Sequence, residues 1–100
     1  MSLEVRWTRR ASDELTRIVA YLDSQDPSWT DVVTAAISEK LEFISETPYL
    51  SSIFETSTRG DIREVLAASY RIFFSIDERR QRIWVESIRH VRQQDPDFSE

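Results

Sequence analysis

Between Ile62 and Arg92 the chain alternates with a period of two. Ile62, Glu64 and Leu66 alternate with Arg63, Val65 and Ala67, and Tyr70, Ile72, Phe74 and Ile76 alternate with Arg71, Phe73, Ser75 and Asp77. After a polar turn at Glu78-Arg79-Arg80-Gln81, Ile83, Val85 and Ser87 alternate with Trp84, Glu86 and Ile88. Period-two runs rich in β-branched and aromatic residues, cut by a polar turn, predict a three-stranded antiparallel meander. A sheet with one apolar side must bury that side, so the earlier part of the chain has to cover it.

That cover reads as helical. Leu3 to Trp7 alternates as a short first strand, and Thr8 is placed to cap the helix that follows. Ala11, Leu15, Ile18, Val19 and Leu22 fall on one stripe of an amphipathic helix of about four turns. Asp26-Pro27 ends that helix and starts the next, with Asp26 as cap and Pro27 at the first helical position. Val33, Ile37, Leu41 and Ile44 form the second stripe, with Ala36 and Phe43 widening it, and Pro48 stops the helix. A connection this short makes the two helices an antiparallel hairpin. Residues 49–60 show no period and read as a loop with a short extended piece at Ile53-Phe54. The expected fold is one α+β domain over residues 1–100: an N-terminal strand, a helical hairpin and a three-stranded antiparallel meander, in two layers. Both helices cover one face of a four-stranded sheet. Arg63 and Arg71 are expected on the other face, and residues 93–100 as a flexible acidic tail.

Composition narrows the chemistry. The absence of Cys removes disulfides and thiolate metal sites, and a single His makes a zinc site held by protein alone unexpected. No cofactor or metal is expected. No stretch reads as a signal peptide or as an apolar run near 18 residues, so a cytoplasmic protein without a membrane partner is expected. The net charge of -5 is uneven: residues 1–58 carry 10 acids and 5 bases, residues 59–92 carry 8 Arg against 5 acids, and the tail adds 3 acids. Whole-surface attraction to nucleic acid is not expected, while a local Arg-lined face remains open.

Several motifs now line up in order: the strand ending in Trp7-Thr8, then Ala11, Asp13, Leu15, Ile18 and Tyr21, the hairpin ending at Pro48, Ile62-Arg63-Glu64-Val65, Tyr70-Arg71-Ile72-Phe73-Phe74, and Ile88-Arg89-His90-Val91-Arg92. In that order and spacing the chain resembles the RelE/ParE toxin superfamily of bacterial type II toxin–antitoxin systems, and most the ParE, or plasmid-stabilisation, branch. The resemblance covers most of residues 3–94 and implies the fold just derived. It also implies a cognate ParD-like antitoxin whose C-terminal segment wraps the toxin in a hetero-oligomer. ParE members are associated with poisoning DNA gyrase, and RelE members cleave mRNA on the ribosome.

RNA cleavage needs a base for the 2′-hydroxyl, a cation for the phosphate and an acid for the leaving oxygen. RelE-like enzymes draw these from several Lys and Arg with a C-terminal aromatic, and a related branch from a Glu beside the Arg of the Tyr70 strand with a terminal His-Tyr pair. This chain has one Lys, Lys40, on the second helix; Ala67-Ala68-Ser69-Tyr70 precedes Arg71 without a carboxylate; Val91 follows His90; and the tail aromatic, Phe98, has no hydroxyl. Arg71, His90 and Arg92 remain as weak catalytic candidates that could hold a phosphate without cleaving it. The plain reading of His90 is an orienting or packing residue, and that of Arg79, Arg80 and Arg82 a solvated hairpin tip. Trp7 and Trp29 read as packing residues, whereas Trp84, opposite Ile83 and Val85, is a candidate hot spot. Arg63, Arg71, Phe73, Trp84 and Arg92 are the expected partner-binding residues, the arginines meeting antitoxin carboxylates bidentately. The expected function is a ParE-like toxin that inhibits gyrase by binding. The alternatives are a ribosome-dependent mRNA endonuclease and a degenerate, non-toxic member that only binds a regulator.

Overall fold

A computed structural model gives the fold for residues 2–58 and 60–99; Met1, Arg59 and Glu100, the end of the expected tail, lie outside the described residues. The chain runs β1 (Glu4–Trp7), α1 (Arg9–Gln25), α2 (Pro27–Glu46), a single 3-10 turn (Pro48–Leu50), β2 (Ser52–Ser57), β3 (Gly60–Ala67), β4 (Tyr70–Asp77) and β5 (Arg82–His90). The strands form one sheet in the order β1-β5-β4-β3-β2, antiparallel throughout except that β1 runs parallel to β5. This is the expected α+β architecture with one strand more.

The caps explain where the helices begin and end. Thr8 Oγ accepts the Ala11 N–H at 3.1 Å and closes the first turn of α1. The same residue ties α1 to the sheet, because its N–H and its hydroxyl both donate to Val85 O at 3.1 Å. Asp26 serves both helices. Its N–H donates to Leu22 O at 2.9 Å, and its carboxylate accepts the Ser28 N–H at 3.0 Å with Pro27 beside it. Among the described residues no helix is long and apolar enough to cross a membrane.

Both helices lie on one side of the sheet, the front. Ala11, Leu22, Val33 and Ile37 from the helices meet Ala67, Tyr70, Ile72, Val85 and Ile88 from the strands, and a second cluster joins Ile44 to Phe74 and Ile83. Burying an aliphatic or aromatic side chain of this kind contributes about 1.5–3 kcal/mol.

Three expectations need correction. The extended piece expected at Ile53-Phe54 is a full edge strand, Ser52–Ser57, and not a short stretch within a loop. Its register against β3 slips between Ile53 and Glu55, and its positions are exposed or half-buried, so no alternation survives. In β5 a bulge at Glu86 breaks the period: Phe74 pairs with Val85 but Phe73 with Ser87. Ile88 therefore joins Ile83 and Val85 on the front, where strict alternation had put it opposite them. Arg63 and Arg71 do not share a face either. Ala67 pairs with Tyr70 across a two-residue turn, which matches Arg63 with Phe74 on the front and Arg71 with Leu66 on the back.

Candidate functional site

The back of the sheet is closed around Arg71. Its Nε donates to the Glu64 carboxylate on the neighbouring strand, and its Nη1 donates to Asp95 Oδ1 at 2.7 Å. The guanidinium carbon sits 4.9 Å from the Phe73 ring centroid and 5.8 Å from that of Phe54, within cation–π range. The hydrogen bond to Glu64 pushes the Arg71 pKa up, against the opposing effect of burial and with help from Asp95. The side chain is only 17% exposed.

Residues 93–99 supply the lid. Phe98 packs 5.8 Å from Phe73 and 6.3 Å from Phe54, and those two rings meet edge-on at 4.9 Å. Pro96 is buried. Arg10, at the start of α1, donates to Asp97 O at 2.8 Å and lies over the Phe98 ring at 5.1 Å. Asp97 in turn accepts the Ser99 hydroxyl at 2.6 Å and the Ser99 N–H at 2.9 Å, which hold its carboxyl below the usual range. Phe73, expected as an anchor for a partner, is fully buried beneath this segment.

The remaining residues divide between the two faces. Trp84 pairs with Ser75 and Arg6, half-buried on the back. Arg63 is spent on the front, donating to Ser51 O at 2.6 Å and Tyr49 O at 3.3 Å with its guanidinium 5.2 Å from the Tyr49 ring. It fixes the turn after α2. His90 pairs with Tyr70, and the two rings meet edge-on at 5.3 Å on the front. Arg92 lies exposed beyond the end of β5, its N–H donating to His90 Nδ1 at 3.1 Å. Consecutive strand residues point to opposite faces, so Arg71, which pairs with Arg89, and His90, which pairs with Tyr70, are not brought together. Trp29, read as a packing residue, is 58% exposed on α2.

Two participants escaped the sequence reading. Glu64 pairs with Arg71 across β3 and β4, a diagonal contact that register alone reveals. Glu14 plugs the edge of β5 where β1 stops. Its Oε1 accepts the Ser87 hydroxyl at 2.8 Å and the Ile88 N–H at 3.0 Å. Its Oε2 is 3.3 Å from Arg89 Nε, near enough for attraction but not aligned as a hydrogen bond, and 3.8 Å from Arg10. The available signal was its position three residues after Ala11 and four before Ile18, an acid on the apolar stripe.

A helical hairpin on a five-stranded sheet entered by a parallel N-terminal strand is a fold shared with chains of solved toxin–antitoxin systems. The chromosomal ParDE toxin–antitoxin system from P. aeruginosa superposes with a TM-score of 0.68, covering 89% of this chain and 96% of that one at 15% identity. The toxin–antitoxin complex RelBE2 from Mycobacterium tuberculosis superposes with a TM-score of 0.64, covering 90% and 99% at 18% identity. At these identities the likeness is one of fold. The sequence itself matches the family model described as ParE toxin of type II toxin-antitoxin system, parDE, over residues 5–95, and the chain belongs to that family. No curated protein matches it.

Proposed function

We propose that this chain is a ParE-type toxin that acts by binding and inhibiting DNA gyrase, and that an antitoxin neutralises it by laying an acidic segment on the back face in place of residues 93–99. The observation that carries the gyrase reading is the placement of Arg71 and His90 on opposite faces of the sheet. An RNA-cleaving site needs base, acid and phosphate-binding cation around one phosphodiester. Here Arg71 is already paired by Glu64 and Asp95, and the one Lys of the chain, Lys40, lies on α2 over Phe43. The antitoxin reading is supported by the acidic, aromatic character of the segment that already covers Arg71 and Phe73.

The test is DNA supercoiling by gyrase of the source organism with graded amounts of the purified protein. Loss of supercoiling or accumulation of cleaved complexes is the expected result. Unchanged supercoiling at toxin excess, together with cut transcripts in primer extension on translated mRNA, would replace this reading by the endonuclease one.

A further inference from the structure

On the front, a cleft of about 690 Å³ opens between α1 and the ends of β4 and β5. Arg17 and Tyr21, four residues apart on α1, form one wall, and Tyr70, His90 and Arg92 form the other. The acid in the cleft, Glu14, is already engaged by Ser87, Ile88 and Arg89. Neither the Arg17 nor the Arg92 side chain makes a hydrogen bond or ion pair with any described residue. In a chain of net charge -5, this is a local concentration of uncommitted positive charge.

Two further donors complete the pattern. His90 Nδ1 accepts the Arg92 N–H, which places the ring's own proton on Nε2 as a donor. Burial pushes the Tyr70 phenol pKa up, with the nearby Tyr21 adding to it, so its hydroxyl stays a neutral donor. Tyr21, one turn beyond Arg17, is 61% exposed and its ring is available to stack. A carboxylate side chain could use the same guanidinium forks, but it would leave the exposed ring and most of the cleft volume unfilled.

We propose that this cleft binds a nucleotide-class ligand, with Arg17 and Arg92 on the phosphate, His90 and Tyr70 as supporting donors, and the base stacked on Tyr21. The volume lies within the range of small-ligand sites, roughly 300–1,000 Å³. A free nucleotide and the end of a single strand share this chemistry. The site is separate from the back face and stands whether or not gyrase is the target.

The experiment is an NMR titration of the full chain with AMP, inorganic phosphate, a 5′-phosphorylated pentathymidine and an oligoglutamate peptide. The variants are Arg17→Ala/Arg92→Ala and, as a surface control at the β4–β5 turn, Arg80→Ala. Saturable shifts at Tyr21, Tyr70 and His90 with AMP or the oligonucleotide are expected. Each lost guanidinium–phosphate contact should weaken binding about tenfold or more, with Arg80→Ala unchanged. Equal affinity for AMP and the oligonucleotide identifies the free nucleotide, and a tighter oligonucleotide identifies the strand end. Thermal melts matching wild type exclude misfolding of the double variant. The proposal falls if neither nucleotide probe saturates, if the double variant binds as wild type, if phosphate alone binds as tightly as AMP, or if only oligoglutamate binds.

Discussion

Arg71 on the back of the sheet and the Arg17–Arg92 pair on the front lie at the same end of the molecule, yet the chain has treated them in opposite ways. Arg71 is cross-linked to Glu64 and Asp95, lies against the touching rings of Phe54 and Phe73 and shares the back face with residues 93–99. Arg17 and Arg92 look into an open cleft with no partner among the described residues. An arginine's job is therefore set less by its strand position than by whether the chain returns an acid to it. The closed side behaves as a small second core, and the open side as a surface waiting for charge.

Core truncation separates the two sides most sharply. Phe73→Ala should destabilise the protein by about 3–5 kcal/mol, because a fully buried ring leaves a cavity under Phe54 and Phe98. Tyr21→Ala, on the open side, should stay within about 0.5 kcal/mol. Urea unfolding of both variants reads the difference, and equal losses would erase the distinction.

Glu14 lies between the two regions, and its loss comes next. Glu14→Ala leaves the Ile88 N–H and the Ser87 hydroxyl without an acceptor and should cost about 2–4 kcal/mol. Hydrogen exchange should show the Ile88 amide losing protection first. Removing residues 93–100 should cost less, about 1–3 kcal/mol, since Asp95 is 63% exposed and Phe98 only half-buried. It should also raise binding of a hydrophobic dye, because Phe73 becomes accessible.

The smallest expected effect is on pH. Hydrogen bonds from Arg6 and Arg82 lower the pKa of Glu4, the Arg80 N–H lowers that of Asp77, and Ser99 lowers that of Asp97. Folded-state values below the unfolded ones stabilise above the ordinary carboxylate range, and that contribution is lost as pH falls through the folded values. Melting temperature should be flat from pH 7 to about 5 and decline below about 4. Asp97→Asn should soften the decline slightly.

Much of this was legible in the sequence. The alternation of Tyr70, Ile72, Phe74 and Ile76 gave the core face of β4 directly, and Thr8 and Asp26-Pro27 marked the helix ends where they occur. β2 was not legible, because an exposed edge strand with a register shift shows no period to read. The faces of Arg63 and Arg71 were readable only through the two-residue turn at Ala68-Ser69, which pairs odd positions on β3 with even ones on β4. Ala68 sits there at φ 52, a conformation that sequence pattern does not announce for alanine. The docking of the tail depends on contacts from Asp95 and Phe98 to residues more than twenty positions away, and composition alone made that segment look solvated.

The most direct test of the account is calorimetric titration of a cognate antitoxin into wild type, Arg71→Ala and a chain ending at Arg92. Losing a desolvated arginine–carboxylate pair costs on the order of 2–5 kcal/mol, so Arg71→Ala should weaken binding by roughly 30-fold to several thousand-fold. The shortened chain, freed of its own competing segment, should bind more tightly than wild type. Wild-type affinity for Arg71→Ala, with no gain on removing the tail, would show that the antitoxin docks elsewhere.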